Sequence, residues 1–259
     1  LNLLKGDLTD EIKAIYDRLL QEKSTSEQKF DFRALTSTDE YLLNVIKLKD
    51  HIQKGDIYEI NYCQSYIAES NKPIDPQEIY QVVNSITKAP FSAFVKWNDF
   101  ALACGSPERY IEKKRQQIIS QPIKGTAKRG ETNEEDKLII EALANDPKER
   151  AENVMIVDLV RNDLSRIAQK GSVRVPELFG IYTFPTVHQM ISTVSCEVAN
   201  DITFSEILKA TFPMGSMTGA PKKRTMEIIE ELEDHKRSLY SGAIGYITPE
   251  NDFDFNVVI

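Results

Sequence analysis

Glu149 and Glu152 stand three residues apart in Pro147-Lys148-Glu149-Arg150-Ala151-Glu152. On a helix that spacing sets both carboxylates on one face, with Asp163 three turns further along nearly the same face. Two adjacent carboxylates suit a hard dication such as Mg²⁺, which takes few protein ligands and keeps several waters. A solvated acidic first turn at the positive helix end is the other reading. Lys124 precedes a glycine in Gln121-Pro122-Ile123-Lys124-Gly125-Thr126, with Lys128 and Arg129 close behind. Partial burial among cations is what makes a lysine amine nucleophilic, and a turn lysine in water is the alternative. Ser106-Pro107-Glu108 offers a general acid or simply a capped turn. The run from Phe212 to Lys222 is a glycine-containing loop entering a helix at Pro221, a shape that directs N–H groups at an anion. It lacks the GK[ST] ending of a nucleotide loop, so no triphosphate is implied, and a plain tight turn remains open.

The elements that must position these groups read as follows. Residues 8–22 have helical spacing and lead into a polar link, Glu22 to Glu27. Thr36-Ser37-Thr38-Asp39 starts a helix that runs to Gly55. Residues 57–68, 91–104 and 109–120 are rich in β-branched and aromatic residues and are predicted strands, the last two a hairpin across Gly105-Ser106-Pro107. The sequence predicts a long helix over 147–170, about 36 Å, with Asp146 as N-cap, Pro147 at N1, Glu149 closing a capping box and Lys170-Gly171 ending it. Residues 187–198 and 239–259 alternate like strands, while 205–211 and 221–233 look helical. Strands and helices intersperse without a strict βαβ rhythm, which favours an α+β sheet protein.

The chain has 259 residues, 41% of them apolar and 28% charged, enough for a substantial core in one large domain or two small ones. Forty acidic against 32 basic residues give a net charge of −8, which argues against a whole-surface nucleic-acid binder. An anionic ligand must then be met by local positive groups. Cys63, Cys104 and Cys196 are odd in number and widely spaced, which fits a reducing cytoplasm better than a disulfide scaffold or zinc ribbon. No apolar run approaches ~18 residues and no signal peptide opens the chain, so the expectation is a soluble protein without a membrane partner. The chain starts inside a helical pattern at Leu1 and stops in a strand-like run at Ile259, so it is expected to be a segment truncated at both ends. His51 and His235 fall among charged helix residues, and His188 precedes a strand where packing is the expected role. No HExxH, GxSxG or GxGxxG is present.

Taken in order, seven segments carry a resemblance. They are Gly55-Asp56-Ile57-Tyr58, Ser106-Pro107-Glu108-Arg109, Pro122-Ile123-Lys124-Gly125-Thr126, Lys148-Glu149-Arg150-Ala151-Glu152, Met155 to Leu164, Phe212 to Lys222, and Tyr240-Ser241-Gly242-Ala243-Ile244-Gly245. Together they resemble the chorismate-utilising enzymes, which include anthranilate synthase component I, aminodeoxychorismate synthase component I, and the isochorismate and salicylate synthases. The resemblance runs from about residue 37 to the end. It implies a single chorismate-binding domain over 1–259, with two central antiparallel-rich sheets sandwiched by outer helices.

Within the family, aminodeoxychorismate synthases are similar to this chain in carrying Lys in the P-I-K-G-T motif, where anthranilate synthases usually have Ala. The resemblance implies that Lys124 attacks chorismate C2 and displaces the C4 hydroxyl, after which ammonia adds at C4 to give 4-amino-4-deoxychorismate for p-aminobenzoate and folate synthesis. It implies Glu108 as the acid for the departing hydroxyl, Glu152 as a direct Mg²⁺ ligand and Glu149 as a water-bridged one. Gly125, Thr126 and Tyr240 match positions lining the substrate pocket. Glu59 takes the place of the water-activating lysine of the isochorismate and salicylate synthases, which argues against hydration. Ammonia is implied to come from a separate glutamine amidotransferase subunit. Two departures stand out. Gln189 replaces the active-site His of many members, and an amide transfers no proton at pH 7. The family also continues beyond the position of Ile259 with an Arg-Thr pair, a glycine-rich turn and a Glu-bearing helix that complete its site. Anthranilate synthase component I is the nearest competing reading, and a non-catalytic binding subunit that keeps the fold is one of another class.

Overall fold

A computed structural model describes residues 30–259 together with Asp10. The helix expected over 8–22, Asp10 apart, and the polar link after it lie outside the described residues. The elements are β1 Arg33–Ala34, α1 Thr38–Lys54, β2 Glu59–Ile60, β3 Tyr66–Ile67, α2 Pro76–Thr87, β4 Phe91–Trp97 and β5 Phe100–Ser106. They continue with β6 Arg109–Lys114, β7 Gln117–Gln121, β8 Ile123–Lys128, α3 Asn133–Asn145, α4 Pro147–Ser165, β9 Arg174–Thr183 and β10 Val187–Glu197. Last come α5 Phe204–Thr211, a 3₁₀ turn Gly215–Met217, β11 Gly219–Ala220, α6 Lys222–Leu232, β12 Gly245–Ile247 and β13 Phe253–Asn256. The α+β class expected from the sequence is what forms. Among the described residues the sheets are unequal: one of seven strands in the order β12-β13-β6-β7-β10-β8, with β9 on β10, and three two-stranded pairs, β1-β3, β2-β11 and β4-β5.

The expected hairpin across Gly105-Ser106-Pro107 does not form. β5 turns back on β4 through Asn98-Asp99, and β6 pairs with β7 through Arg115-Gln116. Asn98 and Arg115 take positive φ, +50° and +56°, as tight two-residue turns require. Pro107 instead passes the chain from one sheet to another and leaves Glu108 between them. The strand expected over 57–68 is mostly irregular, with short pairings only at β2 and β3.

α4 is the spine of the core. Its Ile156, Val157, Val160 and Leu164 pack on Ile111 and Ile118 of β6 and β7, Val194 and Cys196 of β10, Ile207 of α5, and Met214 and Met217. Each such buried side chain contributes roughly 1.5–3 kcal/mol. The helix ends at Ser165, five residues before the expected Lys170, because the sheet captures the backbone beyond it. Gln169 N–H donates to the Glu197 carbonyl at 2.7 Å and Ala168 bridges Val198.

The start of α4 differs in a way that matters for the site. Asp146 is both the C-cap of α3, its N–H donating to the Leu143 carbonyl at 3.3 Å, and the N-cap of α4. Its carboxylate accepts from Lys148 N and Glu149 N at 2.8 and 3.0 Å. With the Asp146 N–H already used, the expected capping box has no donor for Glu149, whose carboxylate is free to turn toward the sheet.

Candidate active site

Two glycines bring the site together. Gly125 on β8 has φ +95°, and a Cβ there would fall 3.2 Å from Met190 Cβ and 3.3 Å from both Cβ and Oε2 of Glu149. Only glycine lets the start of α4 lean on β8 this closely. Gly219 has φ +137°, and a Cβ there would sit 2.1 Å from the Glu59 carbonyl oxygen. The 212–222 loop can therefore run as β11 directly against β2 and fix the backbone that carries Glu59.

Lys124 points from β8 at that residue, with Nζ 2.6 Å from Glu59 Oε1 and both side chains mostly buried. Glu59 Oε2 is buried and has no hydrogen-bond partner. The cations expected beside Lys124 are elsewhere. Arg129 holds Asp136 through its guanidinium and donates to the Phe184 carbonyl at 3.0 Å, and Lys128 is exposed. The charged neighbour of Lys124 is a carboxylate, which offers its amine a proton acceptor rather than like charge.

Glu108 is buried close enough to Lys124 to feel its charge. Its N–H donates to Ser106 Oγ at 3.2 Å and its carbonyl accepts from Val257 N at 3.1 Å, so its backbone is held at both ends. Burial pushes its carboxyl up to about 7, while the Ser216 hydroxyl, the Lys124 charge and the Ile123 N–H pull it back. A carboxyl poised there holds a proton and can release it near neutral pH. Ser216 lies on the 3₁₀ turn of the loop in which an anion site was expected. Pro221 proves to be the N-cap rather than N1, and Lys222 is engaged by Asp163 at 2.5 Å.

Glu149 and Glu152 do share a face. Lys148 Nζ lies 3.4 Å from Glu149 Oε1 and 3.3 Å from Glu152 Oε1, so both carboxylates already converge on one cation. Lys148 is 72% exposed and free to leave. Among the described residues no cluster of three or more His, Cys, Asp or Glu is placed to hold a metal. Among the described residues the donor set is thus two carboxylates, which suits an ion that keeps most of its waters.

Thr126 is exposed on β8, opposite Gln189 of β10. Gln189 is buried and its Oε1 has no hydrogen-bond partner. His188 has the structural place expected of it, with Nε2 2.9 Å from Asp136 Oδ1 and Nδ1 2.9 Å from Thr183 Oγ1. Arg129, Gly130 N–H and His188 hold the Asp136 carboxyl far below the usual range. Tyr240 lies in a groove of about 290 Å³ with Arg237, Phe212 and Ile229. Burial and the neighbouring Cys63 raise its phenol above the ordinary value. The Glu59–Lys124 pairing and the Ser216 contact were not visible in the sequence, because each joins segments more than 60 residues apart.

The chain matches the family described as chorismate binding enzyme over residues 5–259. It is 42% identical over 228 residues to aminodeoxychorismate synthase component 1 of Klebsiella aerogenes, covering 88% of this chain and 50% of that protein. It is 35% identical over 258 residues to anthranilate synthase component 1 of Aquifex aeolicus, covering 98% of this chain and 52% of that protein. Among solved structures, anthranilate synthase component I from Streptococcus pneumoniae TIGR4 superposes with a TM-score of 0.78 at 30% identity, covering 96% of this chain and 56% of that one. The chain therefore spans about half the length of the curated relatives it matches.

Proposed function

The chain belongs to the chorismate-binding enzyme family, and on that premise we propose that it is the catalytic part of an aminodeoxychorismate synthase component I. The reaction is chorismate plus ammonia to 4-amino-4-deoxychorismate plus water. The observation that carries this reading is a mostly buried lysine that pairs with Glu59 at 2.6 Å and whose charge reaches the buried Glu108. Glu59 takes a proton from Lys124, and the neutral amine attacks C2 of chorismate. The ring double bonds shift, the C4–O bond breaks, and Glu108 supplies the proton with which hydroxide leaves as water. Ammonia then attacks C4, the double bonds shift back, and the C2–N bond to Lys124 breaks. Glu152 and Glu149 would hold Mg²⁺, which when bound supplies positive charge for the ring carboxylate of chorismate. The ammonia donor is a glutamine amidotransferase subunit. A cytoplasmic location agrees with three free cysteines, and among the described residues no helix is long and apolar enough to cross a membrane.

The deciding assay gives full-length protein chorismate, ammonium and Mg²⁺ and separates aminodeoxychorismate from anthranilate by chromatography. Anthranilate as the main product would replace this reading with anthranilate synthase. The metal assignment has its own test. Glu152→Gln should raise the Mg²⁺ concentration for half-maximal activity by roughly 10-fold or more, and Glu149→Gln by clearly less, since only a direct ligand loses a bond. Equal small shifts would leave the acidic face as a solvated helix start. Glu59→Lys sets a second ammonium where the first now has its acceptor, so activity should fall without isochorismate appearing, because a water nucleophile also needs a pocket to retain it. Isochorismate from that single change would contradict the role given to Glu59.

A further inference from the structure

Two contacts of the site depend on one short ribbon. β2 carries Glu59, the partner of Lys124, and β11 follows the 3₁₀ turn that carries Ser216, the partner of Glu108. Only Ile60–Gly219 and Glu59–Ala220 pair across it, and Asn61 N–H closes its end on the Thr218 carbonyl at 2.8 Å. Two strands this short do not hold their own arrangement. Arg237 spans them just past the last pair: Nη2 donates to the Asn61 carbonyl at 2.7 Å and Nη1 to the Met217 carbonyl at 2.6 Å. Glu233 fixes the plane of that guanidinium, accepting from Nε at 2.8 Å and from Nη2 at 2.6 Å. Its Oε1 also accepts from Cys63 N–H at 2.9 Å. The Ser241 hydroxyl takes a further Nη1 hydrogen at 3.3 Å, so all five donors of Arg237 are used. Asn61 Nδ2 adds a second tie, to the Ser216 carbonyl at 3.1 Å. The Arg237 and Glu233 side chains are 14% and 3% exposed. An ion pair this buried gains little net stability, because desolvation offsets its attraction. What it fixes is the separation of the two strands.

We infer that Arg237 is a positioning residue of the reaction, which by holding the Asn61 and Met217 carbonyls on one rigid fork keeps Glu59 on Lys124 and Ser216 on Glu108. The inference rests on reading Lys124 as the nucleophile and Glu108 as the acid. Asn61 is two residues from Glu59, and Met217 is next to Ser216, so neither side chain can move far while the fork holds. Loss of the fork has two effects of different kinds. Glu59 drifts from Lys124, which slows the attack on chorismate. Ser216 drifts from Glu108, and its hydroxyl no longer favours the carboxylate, so the acid keeps its proton to higher pH. The other charged groups about Glu108 are Lys124 of β8, Asp163 of α4 and the adjacent Arg109, and none of them is a hydrogen-bond partner of Arg237. Against Arg237 itself lie Glu233, Cys63 and Tyr240.

The test is the pH profile of kcat for the full-length enzyme with chorismate, ammonium and Mg²⁺, in Arg237→Lys, Ser216→Ala and the double variant. Lysine keeps the charge beside Glu233 but cannot hold two carbonyls and a carboxylate in one plane. Arg237→Lys should lower kcat about 10-fold or more with chorismate KM nearly unchanged. At the same time the alkaline limb of the profile should move up from about pH 7 toward about pH 8, the worth of one lost hydrogen bond. Ser216→Ala should move the limb the same way, and the double variant no further, since both changes act on one contact. Glu233→Gln keeps the guanidinium but loosens its plane. It should shift the limb in the same direction by less, and it carries the test if the lysine variant does not fold. A merely structural role lowers melting temperature and kcat together and leaves the limb at its wild-type position. That outcome, or limb shifts that add in the double variant, overturns the inference. Wild-type enzyme that releases no aminodeoxychorismate overturns the reading beneath it instead, before any variant is made.

Discussion

Lys124→Ala is expected to reduce aminodeoxychorismate formation about 10²-fold or more while leaving chorismate binding largely intact. The nucleophile goes, but Glu108, the Glu149–Glu152 face and the pocket remain. Intact-protein mass spectrometry of the wild type with chorismate and no ammonia should show a covalent adduct that the variant lacks. The structure adds a condition. Removing Lys124 strands the Glu59 carboxylate with neither of its oxygens partnered, so the variant should also lose stability. Glu59→Gln combined with Lys124→Ala removes that burden and should recover the melting temperature without the activity. If Lys124→Ala made aminodeoxychorismate at the wild-type rate, the covalent route would be wrong.

Glu108→Gln should have two opposite effects. Activity should fall about 10²–10⁴-fold, because the amide has no acidic proton for the leaving hydroxyl. Stability should rise. Burial lifts the carboxyl from an ordinary value of 4.5 to about 7, so the folded protein binds this proton more tightly than the unfolded chain. The contribution of Glu108 is therefore most favourable below about pH 4.5, is lost as pH climbs to about 7, and is flat beyond. At pH 8 the amide should gain on the order of 3 kcal/mol over the wild type, shrinking toward zero at pH 4.5. Thermal melts of both proteins across that range check the sign. In the wild type, kcat should also decline above about pH 7 as the acid loses its proton. A Glu108→Gln protein that is less stable at pH 8 would mean that the carboxylate is paid for by contacts the amide cannot make.

Local chemistry made much of this legible in the sequence. Ser37, Asp146 and Gly55 cap helices where their side chains or conformations predict, whereas Lys124, Glu108, Glu149 and Glu152 were assigned roles through the family resemblance. What was not legible depended on partners distant in the chain. The end of α4 was misread because residues 167–169 have helical spacing but find stronger hydrogen bonds on β10. The hairpins were misplaced because Gly105-Ser106-Pro107 looks like a turn, whereas the turns fall at Asn98 and Arg115, a weaker local signal. The cations around Lys124 were inferred from adjacency in sequence. On a strand that rises about 3.3 Å per residue, Lys128 lies roughly 13 Å beyond Lys124, and Arg129 went to Asp136. Tyr240 was grouped with the substrate pocket by the resemblance, and it lines a groove with Phe212 and Thr218 of the 212–222 loop.

The corner at Asp146, one residue serving two helices, bears on how this chain can tolerate changes of length. There is no linker between α3 and α4 in which an insertion or deletion could be absorbed. Adding one residue within the first turn of α4 would rotate Glu149 about 100° and shift it about 1.5 Å along the axis, away from the notch that Gly125 provides. A deletion there would do the same in the other sense. Length variation should therefore be borne by the Asn98-Asp99 turn rather than by Arg115-Gln116, whose backbone is held by Asp252 and Val198. Scanning single-residue insertions along the chain should find a sharp intolerant stretch from Asp146 to Glu152 and a permissive turn at Asn98-Asp99.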